Sequence, residues 1–325
     1  MPATGLKKIQ LGKQAAWTTG VAATVRLMAV TDASLQVVDE LLTPEELGNL
    51  SPTVSPVQVA QHIEGSITQQ ASYQDLVYLC HGVFGTVATS AAANTTYMWK
   101  YAAGAIAVNN PFLYTIEFGA PSAEYEVVGG ILTGLEISGE AGGVWEVTTE
   151  VVGRNAAATT MTTALAIRNV DLIRMADTVM SVDTWTGTMG ATAVPATLIS
   201  FNCAASPQHH LKTFAGSLTP TGYGMGRWEG ELTTVLEYNA SAKAYVDALL
   251  SAKVQKQIQI KASQGATTTS RSAAIRFAGT LVDGVELFGD RDGNITVELT
   301  WRGTYHGTLA SFLQMQMRTE NGTLA

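Results

Sequence analysis

Two segments of the chain alternate apolar and polar residues with a period of two. The first places Trp145, Val147, Thr149 and Val151 on one side and Glu146, Thr148, Glu150 and Val152 on the other. The second places Ile295, Val297, Leu299 and Trp301 opposite Thr296, Glu298, Thr300 and Arg302. This period predicts strands with one face in a core and one face in solvent. Most of the 31 glycines lie between such runs, so the pattern indicates a mainly β protein.

Two other segments have the spacing of a helix. Ser72 lies three residues before Asp75, which is typical of a helix N-terminus. The predicted apolar stripes are Leu76, Leu79, Cys80, Val83 and Phe84 in the first helix, and Ala242, Tyr245, Val246, Leu249 and Leu250 after Ser241 in the second. Residues 86–96 and 156–164 are rich in Thr and Ala, which predicts long loops or a linker.

The chain also matches itself at a fixed spacing. With an offset of 150, the identities join Gly129, Gly134, Glu136, Gly139, Gly143, Val147 and Gly153 to Gly279, Gly284, Glu286, Gly289, Gly293, Val297 and Gly303. An upstream match at an offset of 165 joins Glu64-Gly65, Thr68 and Tyr73 to Glu229-Gly230, Thr233 and Tyr238. The change of offset places about 15 extra residues within 86–110. We therefore expect two tandem copies of one domain, residues 1–160 and 161–325.

The repeated residues differ in what they imply. Gly139 and Gly143, like their counterparts 150 residues later, bracket a predicted tight hairpin loop that needs φ > 0. Glu136 and Glu286 recur on a strand, where folding alone gives no reason for a carboxylate. A solvated strand face is the simplest account of these two residues, and a functional surface is the alternative.

Composition adds a shortage of charge. Charged residues make up 14% of the chain and hydrophobic residues 46%, whereas an ordinary soluble domain has about 25% charged residues. The protein is therefore expected to hide surface in an assembly, in a membrane or against itself. The net charge of −8 argues against a protein that grips nucleic-acid phosphates, because that function needs a basic face.

The membrane alternative has little support in the sequence. The longest uncharged stretch, residues 76–99, has apolar residues only in its first third, so we interpret it as a helix followed by a polar loop. The N-terminal residues 1–14 contain no apolar segment typical of a signal peptide. Cys80 and Cys203 have no partner at a metal-binding spacing, which favours two buried thiols, with a disulfide between them as the open alternative.

Catalytic and metal-binding motifs are missing from the sequence. It contains no phosphate-binding loop, no zinc-protease motif and no nucleophile elbow. His209 and His210 are adjacent, which would direct their side chains to opposite faces of a strand. Residues 290–294 (DRDGN) resemble the start of a calcium loop but lack the distal Glu, so a hairpin turn is favoured. We expect no enzyme activity, cofactor or metal.

Short segments along most of the chain carry a family resemblance. They are residues 8–13 (KIQLGK), 44–48 (PEELG), 137–143 (ISGEAGG), 211–218 (LKTFAGSL), 226–230 (GRWEG), 244–249 (AYVDAL) and 287–294 (LFGDRDGN). In their number and order they resemble the major tail tube proteins of long-tailed, siphovirus-like bacteriophages, in particular a two-domain family. The resemblance implies two tandem tail-tube domains, each a β-sandwich or barrel segment with one packed α-helix.

The same resemblance implies an assembly and its partners. Single-domain relatives form six-membered rings, so three two-domain chains would form a pseudo-six-fold ring. The rings would stack into a tube that holds the tape measure protein and later lets DNA pass without specific binding. The resemblance also implies contacts with tail terminator and distal tail proteins, synthesis in the host cytoplasm, a place in the virion and no membrane. It favours a tail without a sheath.

Two sets of residues are candidates for this function. Residues 38–59 are too apolar for a free loop and predict an arm that docks on another subunit or ring, through Leu41, Leu42, Leu47, Leu50, Val54 and Val57. Its counterpart in the second copy would be roughly residues 206–227. The predicted lumen-facing residues are Glu136, Glu146, Glu150, Glu286 and Glu298, because a conduit for DNA should repel phosphates. The alternative is that these glutamates face outward.

Two other functions remain open at this point. One is a β-rich module that binds carbohydrate or decorates a virion, and the other is a hydrolase with an unrecognised site. Carbohydrate-binding modules usually expose aromatic side chains on a concave face, whereas the Trp residues here mostly occupy strand or turn positions that look packed.

Overall fold

The computed structural model describes residues 7–43, 55–85, 87, 90–91, 96–104, 110–121, 123–194, 197–251, 254–265, 270–282, 289–291, 293–322 and 324. Within them the chain is mainly β with two helices, α1 (Leu76–Phe84) and α2 (Ala240–Ser251), which confirms the predicted fold class. The strands are β1 (Lys8–Lys13), β2 (Val25–Arg26), β3 (Val30–Leu42), β4 (Val57–Gln70), β5 (Ser90–Ala91), β6 (Tyr97–Ala102), β7 (Tyr114–Ala120), β8 (Ala123–Glu140), β9 (Glu146–Gly153), β10 (Asn155–Ala158), β11 (Thr178–Thr184), β12 (Leu198–Ser206), β13 (His210–Lys212), β14 (Gly222–Gly224), β15 (Glu229–Glu237), β16 (Gln255–Gln264), β17 (Arg271–Leu281), β18 (Gly289–Arg291), β19 (Asn294–Gly303) and β20 (Leu313–Thr319).

The strands pair in the same order in the two parts of the chain. In the N-terminal half (residues 1–160) the antiparallel order is β1-β7-β8-β9-β4-β3. In the C-terminal half (residues 161–325) it is β11-β16-β17-β19-β15-β12. The helix in each half follows the strand that pairs next to last, β4 or β15.

Strand β8 joins the two halves into one sheet. Its C-terminal residues 135–140 pair with residues 200–205 of β12 on one side, and residues 131–138 pair with β9 on the other. The result is a continuous seven-stranded sheet in the order β3-β4-β9-β8-β12-β15-β19. A second link forms where β20, near the C-terminus, pairs with β6 of the N-terminal half.

The register of this sheet corrects one offset predicted from the sequence. Thr68 lies opposite Thr148, whereas Val235 lies opposite Glu298, which is 150 residues after Thr148. Strand β4 therefore corresponds to β15 at an offset of 167 rather than 165. A slip of two residues keeps every side chain on its own face of the sheet, so the alternation of buried and exposed positions is unchanged.

Helix α1 is buried along its whole length, because all nine of its residues are covered. At its N-terminus the hydroxyl of Ser72 accepts a hydrogen bond from the backbone N–H of Asp75 at 3.1 Å, as the spacing predicted. The helix ends at Gly85, whose φ is +84° and whose N–H donates to the carbonyl of His81 at 3.0 Å. A Cβ at position 85 would lie 2.2 Å from the carbonyl oxygen of Asn110, so only glycine fits this end of the helix.

The β8–β9 turn needs a glycine with positive φ, but at a different residue from the two that the sequence indicated. The residue with φ > 0 is Gly142, at +85°, rather than Gly139 or Gly143. Gly139 is constrained by packing instead, because a Cβ there would lie 2.7 Å from both Phe201 and Met175. In the β18–β19 turn the positive φ is at Gly293, as predicted.

Two other predictions about strands were wrong in part. Ile295 is 51% exposed, because it lies opposite Asp290 in the short β18–β19 hairpin, and the buried alternation of β19 begins after it. Residues 155–158 form strand β10, although 156–164 was predicted to be a loop. They pair with residues 125–128 of β8, so that edge of the long strand is occupied.

A buried ion pair fixes the connection between the halves onto α1. Arg168 Nη2 lies 2.6 Å from Oδ1 of Asp75, whose side chain is fully buried. The other carboxylate oxygen of Asp75 accepts from the backbone N–H of Met28 at 2.8 Å. Burial raises the pKa of Asp75, and the charge of Arg168 opposes that rise.

The structure bears on two alternatives that the sequence left, a membrane span and a disulfide. No helix in the described part of the chain is long and apolar enough to cross a membrane. Cys80 and Cys203 are free and buried, as predicted for two thiols, so the alternative of a disulfide was wrong. Burial raises the pKa of the Cys203 thiol to about 12, which keeps it protonated and unreactive at neutral pH.

Candidate functional site

One face of the seven-stranded sheet is polar and carries the predicted lumen residues. Glu146 lies opposite Ser138, and Thr148 lies opposite Glu136. Residues directly opposite each other, and residues two apart along a strand, share a face. Glu136, Glu146 and Glu150 therefore project from the same face, and all three are exposed.

The same face continues across the join between the halves. The register leads from Glu136 to Ala204 of β12, from there to Glu231 of β15, and on to Arg302 of β19. Glu298 lies four residues before Arg302, so it is on this face as well, and it is exposed. The structure thus brings together four of the five predicted residues, whereas Glu286 lies outside the described residues.

The opposite face of the sheet packs into the core. Its buried side chains include Ile63, Ile67, Leu135, Ile137, Val147, Val151, Phe201, Cys203, Leu232, Leu236, Val297, Leu299 and Trp301. This division is what the period-two alternation predicted. Because six of the seven strands bury this face, all except the edge strand β3, the polar face cannot turn inward without exposing the core.

The polar face, hereafter the acidic face, carries more carboxylates than the sequence analysis named. Its further exposed members are Asp32, Glu64, Glu140, Glu229, Glu231 and Glu237. Arg302 is the single lysine or arginine in the seven strands. The sequence did not identify these residues, because alternation shows which residues of one strand share a face but not which face of the next strand lies beside it. That depends on the register with which the two strands pair.

Neutral partners hold several of these carboxylates. Asn202 Nδ2 donates to Oε1 of Glu136 at 2.7 Å, and Gln36 Nε2 donates to Oε1 of Glu64 at 3.3 Å. Amide donors orient a carboxylate without neutralising it. Among the described residues, no lysine or arginine forms an ion pair with Glu136, Glu146, Glu150 or Glu298. The negative charge of these four glutamates is therefore not compensated by a lysine or arginine in the part of the chain that the structure describes.

The acidic face is concave where the halves meet. A depression of about 700 Å³ lies over the join and is lined by residues that include four carboxylates and two arginines: Glu136, Glu150, Glu229, Glu231, Arg227 and Arg302. A concave surface in which one sign of charge prevails strengthens the potential above it. Within the described part of the chain, no group of three His, Cys, Asp or Glu residues is arranged to hold a metal ion. The chemistry that this surface offers is repulsion of polyanions.

The predicted arm begins as a long hairpin of β3 and β4. Its described apolar candidates are all exposed, with Leu41 at 56%, Leu42 at 59% and Val57 at 52%. Leu47, Leu50 and Val54 lie outside the described residues. In the described sheet β3 pairs with β4 on one side, and its other edge carries no strand.

The predicted counterpart of the arm, residues 206–227, contains the short hairpin β13–β14. This hairpin is seated on the N-terminal half of the same chain. The backbone N–H of Gln61 donates to the carbonyl of Leu218 at 2.7 Å, and the indole N–H of Trp17 donates to the carbonyl of Pro220 at 3.1 Å. The ring of Trp17 also lies 5.4 Å from that of Tyr223.

Comparison with known proteins adds one finding to this geometry. A family model described as phage tail tube protein matches residues 6–303, which is nearly the whole chain. No curated protein matches the chain.

Proposed function

Because the chain belongs to the phage tail tube protein family, it is a structural protein of the virion tail that assembles with itself into a tube, and we propose how it does so. Three chains form a pseudo-six-fold ring, and rings stack into the hollow tube through which DNA is ejected. The observation that carries this proposal is the continuous sheet across both halves of one chain, which ends at β3 in an edge that no strand of the described residues pairs with.

The proposal rests on a duplicated domain, residues 1–160 and 161–325. The identical pairing order of the two halves supports the duplication, because unrelated β domains would not repeat five pairings in sequence. The position of one helix after β4 and one after β15 also supports it. Three chains would then present six similar domains around the ring.

Ring closure would repeat the join that already exists inside the chain. Residues 135–140 of β8 pair with β12 of the other half. In the N-terminal half the strand in the place of β12 is β3, whose outer edge is exposed. The offset of 150 matches residues 285–290 to 135–140, so we propose that residues 285–290 of one chain pair with β3 of the next. An exposed strand edge is a template for such pairing.

The acidic face would line the lumen of the tube. Its uncompensated carboxylates support this placement, because a wall of that charge keeps DNA from adhering during passage. Glu286 is proposed to extend the same surface. We also propose that the tape measure protein fills the lumen before ejection, that tail terminator and distal tail proteins cap the tube, and that the chain is made in the host cytoplasm.

Electron microscopy of the purified protein tests the proposal. We expect rings or hollow tubes, and averaged ring images should have three-fold symmetry with six similar lobes. Native mass spectrometry of dissociated rings should then give the mass of three chains. A discrete monomer under all conditions would overturn the proposal, and rings of six chains would overturn the stoichiometry alone.

A further inference from the structure

We infer that residues 43–56 of one copy dock on the C-terminal half of the neighbouring copy in the same ring. The surface that receives them is the turn at residues 184–193, most of whose residues are exposed. This inference rests on the proposed ring. It adds a second contact between copies, separate from the pairing of strand edges.

The hairpin β13–β14 shows what such a contact looks like within one chain. It lies between β12 and β15, reaches over the N-terminal half and contacts β4 at Gln61 and the turn after β1 at Trp17. Residues 43–56 lie in the same place between β3 and β4. If the ring repeats the join between the halves, residues 43–56 point to the C-terminal half of the next copy.

Strand register makes this correspondence quantitative. Asp32 lies opposite Thr68, and Ser200 lies opposite Val235, which is the residue that corresponds to Thr68. Strand β3 therefore corresponds to β12 at an offset of 168. At this offset residues 48–52 (GNLSP) match residues 216–220 (GSLTP), with Gly, Leu and Pro identical and Ser replaced by Thr.

The matched residues are those that make the contact in the second hairpin. The carbonyls of Leu218 and Pro220 accept the hydrogen bonds from Gln61 and Trp17. Their counterparts in the first hairpin are Leu50 and Pro52. The segment that docks on the N-terminal half thus has a sequence equivalent, and in the proposed ring the equivalent surface for it is the C-terminal half of the next copy.

The receiving turn also has its counterpart. Thr19 N–H donates to Ala16 O at 3.4 Å, and Ala191 N–H donates to Thr188 O at 3.3 Å, an offset of 172 in both residues. Each turn follows the strand at the end of its pairing order, β1 or β11. Trp17 corresponds to Met189, which is buried against Ala278 and Leu309, so the contact would be made by the exposed residues of the turn and would lack the indole hydrogen bond.

Crosslinking of paired cysteines tests the inference. Thr188 lies exposed on the receiving turn, and Ser51 corresponds to Thr219 of the seated hairpin. The S51C/T188C double variant is assembled and treated with a short bis-maleimide, then separated on a denaturing gel. The native cysteines are buried and should not react. We expect the mass to shift from one chain to two and three chains, with no species above three, because the linkage closes within one ring.

A matched pair within one chain serves as the control. The A16C/T219C variant places its cysteines at the corresponding positions, on the turn after β1 and on the seated hairpin. The crosslinker should join both thiols within one chain, so the mass on the gel should stay that of a single chain. Tubes that form while S51C/T188C stays monomeric on the gel would overturn the inference and leave the proposed ring intact. A ladder beyond three chains would also overturn it, because the segment would then join successive rings. Absence of rings or tubes in the unmodified protein would instead count against the proposed function.

Discussion

The two helices occupy similar places in the fold but have different surroundings. Helix α1 is covered on every side, and its Phe84 stacks on Trp228 of the other half with ring centroids 5.0 Å apart. In α2, among the side chains that the structure describes, Ala242 and Val246 are buried whereas Lys243 and Asp247 are exposed. Helix α1 is therefore covered, with a contact to the other half of the chain at Phe84, whereas α2 leaves charged side chains exposed.

The two hairpins show the reverse arrangement. The second, β13–β14, is seated on the N-terminal half, whereas the hairpin β3–β4 presents Leu41, Leu42 and Val57 to solvent. The elements that contact the other half of the chain are thus packed, whereas the β3–β4 hairpin leaves apolar side chains exposed. The chain thus contains one finished interface between its halves, and in the proposed ring a second copy would cover the exposed hairpin.

Deleting residues 43–56 should give the largest effect, because it removes the open hairpin and leaves the seated one. We expect the variant to fold as a monomer with an unchanged far-ultraviolet circular dichroism spectrum and to form no tubes. Electron microscopy under conditions in which the unmodified protein assembles checks this. Tubes of normal length would contradict the role of the arm.

The covered helix should be far more sensitive to loss of an ion pair than the open one. The R168A variant leaves the carboxylate of Asp75 buried without its charge partner, so we expect a loss of about 3 kcal/mol in the free energy of unfolding. The matched variant K243A breaks the exposed pair with Asp247 on α2 and should leave the urea midpoint unchanged. Equal losses in the two variants would contradict the comparison.

The covered helix should also make stability depend on pH. Burial, together with the charge of Lys13, lowers the pKa of His81 from 6.5 to about 4. Below pH 6.5 the unfolded chain binds a proton on this imidazole that the folded chain does not bind until about pH 4. Stability should therefore fall by up to about 3 kcal/mol as the pH drops between these values.

The H81L variant isolates this contribution from those of other groups. The raised pKa of Asp75 acts in the opposite direction, but it is common to both proteins. We expect urea titrations at several pH values to give a smaller acid loss for H81L than for the unmodified chain. The exposed His210 provides the control, and H210L should retain the full loss. Parallel pH profiles for H81L and the unmodified chain would contradict the assignment.

The sequence correctly predicted features that depend on local pattern, such as which residues of one strand face the core. The alternation around Trp145 and Trp301 gave the correct faces, and both side chains are fully buried. Alternation could not show where a strand leaves the core, so Ile295 was misplaced. It also could not show which strands become neighbours. The extent of the acidic face, with Glu64 and Glu231 on it, depends on pairings between residues far apart in the chain, and those pairings follow from tertiary packing.

The acidic face crosses the finished interface without interruption, so changing its charge should affect transport rather than assembly. In a phage that carries E146K/E150K/E298K, we expect normal tubes, because the three side chains are exposed and the core face is unchanged. DNA ejection should slow by roughly an order of magnitude at low salt, because lysines on the wall attract phosphates. The neutral variant E146Q/E150Q/E298Q is the control and should slow ejection less, and added salt should weaken the effect of lysine because it screens the charges. Ejection that is equally fast in all three phages would place these carboxylates on the outside of the tube.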